Sequence, residues 1–136
     1  MPRYSDERSE GVSCASIVVV EDDVLNQVIA RKILTSLGYT VIVANNGQEG
    51  IDKLASAHID LILMDMQMPI MDGPETTRRF RAQGYSLPIL GFTASTSAND
   101  HQRCLEAGMQ DMLTKPMRVM ALTEALSRFL VNRKQQ

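Results

Sequence analysis

A small doubly wound α/β domain with a parallel sheet is the fold this sequence predicts, on three observations. Short β-branched runs alternate with segments of helical apolar period, the pattern of repeated βα units. One run, Asp60-Leu61-Ile62-Leu63-Met64, is almost continuously apolar, as expected of a strand buried on both faces. The 136 residues accommodate five such units rather than the eight a closed barrel requires.

The first unit pairs the strand Ile17–Val20 with a helix from about Val24, whose Leu25, Ile29, Ile33 and Leu37 are expected on its buried face and whose end is set by Gly38. The second pairs Thr40–Ala44 with a helix from Gly47 to about Ser56. After the apolar third strand and a loop, a helix starts near Pro74, a residue suited to a first turn, and runs to Gly84. Leu87–Phe92 and Asp111–Leu113 read as strands, with helices over Asn99–Ala107 and Arg118–Val131. Residues 1–15 are predominantly polar and lack an apolar period, so they are expected to form a tail or linker. The domain is placed at 16–131, followed by a short tail at 132–136 and no second domain.

An apolar share of 44% fits a soluble globular class. The formal charge of −2 gives no summed field favouring nucleic acid or an anionic membrane. The longest apolar run is too short to span a bilayer and the N-terminus lacks a signal-peptide pattern, so a cytoplasmic location is expected. Cys14 and Cys104 have no metal spacing with each other or with His58 and His101. Reduced thiols and surface histidines are the expectation.

In an open parallel sheet the binding crevice lies beyond the carboxyl ends of the strands. The first strand is followed by Glu21-Asp22-Asp23, the third by Asp65, the fourth by Thr93 and Ala94, and the fifth by Lys115-Pro116. Carboxylates forced together repel by about 4 kcal/mol per pair at 4 Å and an effective dielectric of 20, a cost that a divalent cation removes. Hard oxygen donors with no nearby Cys or His select Mg²⁺ or Mn²⁺ over zinc. Asp65 is the natural nucleophile toward phosphorus, with Thr93 and Lys115 placed to stabilise phosphoryl oxygens. The methionines Met64, Met66, Met68 and Met71 are expected to fill core and loop rather than bind copper, and Arg78-Arg79-Phe80-Arg81 to form a solvated helix face.

The strings Val-Val-Glu-Asp-Asp-Val-Leu-Asn-Gln (19–27), Leu-Met-Asp-Met-Gln-Met-Pro-Ile-Met-Asp-Gly (63–73), Gly-Phe-Thr-Ala (91–94) and Leu-Thr-Lys-Pro (113–116) together resemble response-regulator receiver domains of two-component systems. The Asn-Gln pair, the Asp-Met-Gln-Met-Pro run and Cys104-Leu-Glu-Ala-Gly-Met bring the resemblance nearest to receivers of hybrid sensor histidine kinases. It implies a flavodoxin-like sheet of order 2-1-3-4-5 with five helices, and transfer of a phosphoryl group from a phosphohistidine of a histidine kinase or histidine phosphotransfer domain to Asp65. It also implies a Mg²⁺ site made by Glu21, Asp22, Asp65 and the backbone carbonyl of Gln67, with Mn²⁺ able to substitute. Thr93 takes the place of the switch hydroxyl, Lys115 that of the phosphoryl-contacting lysine, and Pro116 is expected to follow a cis bond. Asp23 is left outside the metal shell.

One position departs from the pattern: the family usually carries Tyr or Phe three residues before its lysine, where this chain has Met112. The implied metal site and phosphotransfer are unaffected, whereas the relay from Thr93 to the outer face is expected to be muted. Three rival functions can be weighed. A phosphatase of the haloacid dehalogenase type needs a second Asp two residues after its nucleophile, and Gln67 stands there. In a flavin-binding protein the loop after strand one must accept phosphate, which Glu21-Asp22-Asp23 would repel. The third rival, a degenerate receiver used only for docking, has no need of the full set of reactive side chains found here.

Overall fold

The computed structural model describes residues 15–66, 68, 71–94, 97–115 and 117–134, and side chains as far as Leu130. Five strands, β1 (Ser16–Val20), β2 (Thr40–Ala44), β3 (Leu61–Asp65), β4 (Ile89–Thr93) and β5 (Asp111–Thr114), form one parallel sheet in the order β2-β1-β3-β4-β5. The helices are α1 (Val24–Ser36), α2 (Gly47–Ser56), α3 (Gly73–Ala82), α4 (Ala98–Ala107) and α5 (Val119–Lys134). This is the predicted doubly wound arrangement. The change of winding direction falls beside β1, so the carboxyl ends of β1 and β3 open onto one crevice.

Two apolar layers hold the sheet. On one face Val18, Val20, Ile62, Met64 and Ile89 pack with Ile51 and Leu54 of α2, Phe80 of α3 and Cys104 of α4. On the other, Ile17, Val19, Leu61, Leu63, Leu90 and Phe92 meet Ala30 and Leu34 of α1 and Leu122, Ala125, Leu126 and Leu130 of α5. Every residue of β3 is buried, which is why its sequence lacks alternation.

Capping fixes where each helix begins. Asp23, Asn46, Asp72 and Ser97 each accept a backbone N–H from the first turn of α1, α2, α3 and α4 respectively. Pro74 lies in the first turn of α3, where its missing N–H costs nothing. The structure corrects several boundaries by a residue or two. β3 runs one residue further than expected and contains Asp65, while Asp60 stays outside it and accepts the Ser16 amide through its side chain at 2.8 Å. β4 starts at Ile89, after Pro88, which has no N–H for a ladder.

The buried face of α1 is also corrected. Ala30 and Leu34 are buried, Ile33 and Leu37 pack at the edge of the core, and Leu25 and Ile29 are exposed. A four-residue spacing overshoots a 3.6-residue turn by about 40° per step, so a stripe that starts in solvent at Leu25 reaches the core only near Ile33.

Candidate functional site

The crevice is lined by residues that the strands deliver at their carboxyl ends. Glu21 follows β1 and is 1% exposed, Asp65 closes β3 at 2%, and Thr93 closes β4 at 6%. The β3–β4 register sets Asp65 beside Phe92, one residue before Thr93. Lys115 follows β5, where its amide donates to the Thr93 carbonyl at 2.7 Å. Its ammonium lies 3.1 Å from Asp65 Oδ1 and 3.7 Å from Glu21 Oε1, and sits over the Phe92 ring at 5.3 Å from the centroid. Carboxylate oxygens of Glu21, Asp22 and Asp65 lie within 4.8 Å of one another.

This grouping is electrostatically costly. Burial, reinforced by the Asp65 charge, pushes the Glu21 carboxyl from 4.5 up to about 7, against the opposing pull of the Asp23 amide and Lys115. Glu21 Oε2 accepts the Asp23 N–H at 3.0 Å, but the buried Oε1 has no hydrogen-bond partner among the described residues. A buried oxygen of this kind is costly unless a cation or donor meets it. One ammonium is shared between two buried carboxylates, so the donor set has room for further positive charge. Hard oxygens alone, with no sulfur or imidazole among them, fit Mg²⁺.

Neighbouring elements hold the acids in place. Gln27 of α1 donates to the Glu21 carbonyl and to Asn45 Oδ1, while the Asn45 amide donates to Glu49 at 2.8 Å. The start of α3 lies close against Asp65: Gly73 N–H donates to Met66 O, and a Cβ at Gly73 would stand 2.5 Å from the Asp65 carbonyl oxygen. Asp23 is exposed and caps α1, accepting the Leu25 amide at 3.0 Å.

The structure thus brings Glu21, Asp22, Asp65 and Lys115 together and sets Thr93 at the neighbouring strand end. Gln67 and Pro116 lie outside the described residues, as does Cys14. Cys104 is a buried free thiol, and His58 and His101 are exposed. Met64, Met66, Met68 and Met71 are buried core residues. In the arginine run, Arg78 and Arg79 pair with Glu75 at the surface and Phe80 is core. Arg81 is not simply solvated: it donates to the carbonyls of Tyr85, Leu87 and Gly108 and to the Gln110 side chain, tying α3 to the approach to β5. Sequence reasoning gave no role to Gln27, Asn45 or Phe92. The Asn-Gln pair following the acidic run was the one available signal.

A doubly wound sheet with an acid cluster, a buried aspartate and a lysine at its carboxyl edge defines an α/β domain whose site is built at its strand ends. The family model "Response regulator receiver domain" matches residues 17–127, and the chain belongs to that family of two-component signalling domains. It is 40% identical over 111 residues to the sensor histidine kinase RcsC of Escherichia coli K12, covering 82% of this chain and 12% of the kinase. The chain therefore spans about an eighth of that relative's length. The receiver domain of sensor histidine kinase PA1611 from Pseudomonas aeruginosa superposes with a TM-score of 0.79 at 36% identity, covering 86% of this chain and 98% of that one, and carries a magnesium ion in its active-site cleft. The Saccharomyces cerevisiae receiver domain of Ssk1, crystallised with the histidine phosphotransfer protein Ypd1, gives a TM-score of 0.78 at 29% identity over 86% of this chain and 89% of that one.

Proposed function

We propose that Asp65 is the phosphoacceptor of this receiver, taking a phosphoryl group from a phosphohistidine on a histidine kinase or histidine phosphotransfer domain. The observation that carries this reading is the convergence of Glu21, Asp22 and Asp65 within 4.8 Å beside the Lys115 ammonium. Glu21, Asp22, Asp65 and the backbone carbonyl of Gln67 would hold Mg²⁺, and Mn²⁺ would substitute because it accepts the same hard donors. When bound, the ion neutralises charge on the phosphoryl oxygens and the crowded carboxylates.

The chain's own groups supply the rest. An Asp65 carboxylate oxygen attacks phosphorus as the phosphorus–nitrogen bond of the donor breaks, and the imidazole leaves with the electron pair. The product is an acyl phosphate. The Lys115 ammonium, released from its pairing with Asp65, turns to the phosphoryl oxygens, and the Thr93 hydroxyl donates to another. Exposed Val24, Leu25, Val28 and Ile29 on α1, which rises from the site's rim, offer apolar contact to the donor domain. Among the described residues no helix is long and apolar enough to cross a membrane. The full-length protein, if a hybrid kinase like RcsC, would add the activity that supplies the phosphoryl group.

Incubation with acetyl phosphate and Mg²⁺ should add one phosphate, seen as a single mass increment. Equal labelling of Asp65→Asn and the parent chain would overturn the assignment.

A further inference from the structure

Gly91 and Met112 stand side by side in the register of β4 and β5. A Cβ built on Gly91 would meet Met112 Sδ at 2.6 Å and Met109 Sδ at 2.7 Å, so two thioethers occupy the volume that a side chain at Gly91 would take. Gly91 shares its face of β4 with Ile89 below and Thr93 above, because side chains two apart on a strand point the same way. Met112 packs from the edge strand onto the core of this face, and Met109 is itself buried there. The Met112 thioether is therefore seated over Gly91, two residues before Thr93 on the same face of β4.

We infer that Gly91 and Met112 are a matched pair that locks β5 onto β4, so that rearrangement at a phosphorylated Asp65 ends at Thr93 and is not carried by Met112 to the outer surface. This rests on the phosphoacceptor reading above. A methionine elsewhere would sample several rotamers. Here an outward swing would leave Met109 alone over Gly91, and the glycine has no side chain to relax into the space that Met112 vacates. A phosphoryl group shifts a conformational equilibrium only by its differential interaction with the two states. Its direct contacts reach Thr93, whereas the cost of emptying the seat falls at Gly91, two residues further back on β4.

The test is methyl NMR of the whole chain with ¹³C-labelled methionine, with and without Mg²⁺ and beryllofluoride, on the parent, Gly91→Ala, Met112→Ala and the double variant. Amide shifts around Asp65 on adding beryllofluoride report the phosphoacceptor reading separately. The lock predicts that the Met112 methyl keeps its contacts to Gly91 in both states. It also predicts that Gly91→Ala displaces that methyl and lowers the melting temperature without any ligand, and that adding Met112→Ala recovers part of the loss. Departure of the Met112 methyl from Gly91 on beryllofluoride binding would overturn the lock, as would additive melting shifts in the double variant. If no shifts arise around Asp65, the phosphoacceptor reading fails instead, and the double-variant comparison still decides whether the seat exists.

Discussion

Replacing Glu21 by Gln should stabilise the metal-free protein, in a way that depends on pH. The carboxyl titrates at about 7 in the fold against 4.5 ordinarily. Keeping it ionised at pH 8 therefore costs the fold about 3 kcal/mol, at about 1.4 kcal/mol per tenfold change in proton affinity. Glutamine keeps the oxygen that accepts the Asp23 amide but buries an amide group, offsetting about 1 kcal/mol. The net gain is about 2 kcal/mol, or a rise in melting temperature of about 6 °C for a chain of this size. Below pH 4.5 folded and unfolded chains both hold the proton, and between 4.5 and 7 only the folded chain does. The parent therefore loses stability as pH rises through that window, and the advantage of Glu21→Gln is full above pH 7 and absent near pH 4.5. Thermal unfolding in EDTA across pH 4.5–8.5 measures it. A variant advantage that is the same at pH 4.5 and pH 8, or a loss at pH 8, would refute the reasoning.

Three further outcomes follow from the same geometry. Mg²⁺ at a hundredfold excess over its dissociation constant should stabilise the parent by about 2.7 kcal/mol, and Asp22→Asn should reduce that gain, as melting curves with and without the ion would reveal. Lys115→Ala removes the ammonium 3.1 Å from Asp65 and should slow phosphorylation by acetyl phosphate on the order of 10²-fold, measured by mass spectrometry over time. Gly73→Ala would press a methyl group to 2.5 Å from the Asp65 carbonyl oxygen and should lower stability by about 1–3 kcal/mol in urea unfolding.

The strand ends, and with them most of the site, were legible because a strand buried on both faces writes itself as an unbroken apolar run. The first polar residues after Val20, and the aspartate closing the run that ends at Met64, then mark the sheet's carboxyl edge. The face of α1 was not legible, because Leu25 and Ile29 are apolar yet exposed. Gln27 reaches Asn45 across 18 positions, and Arg81 reaches Gly108 across 27. No local pattern encodes such pairings. The opposition of Gly91 and Met112 likewise depends on the register of β5, which a four-residue edge strand does not reveal alone. Glu21 and Asp22 look equivalent in sequence. The fold separates them by burying the first and exposing the second.

The most direct test of the central claim is to trap the acyl phosphate chemically. Borohydride reduces an aspartyl phosphate to homoserine, so treating the protein after acetyl phosphate and Mg²⁺ and then sequencing its peptides by mass spectrometry locates the acceptor. Homoserine at position 65, and at no other aspartate, is the result predicted here. Homoserine at Asp22 or Asp23 with Asp65 intact, or phosphate that resists borohydride, would contradict it.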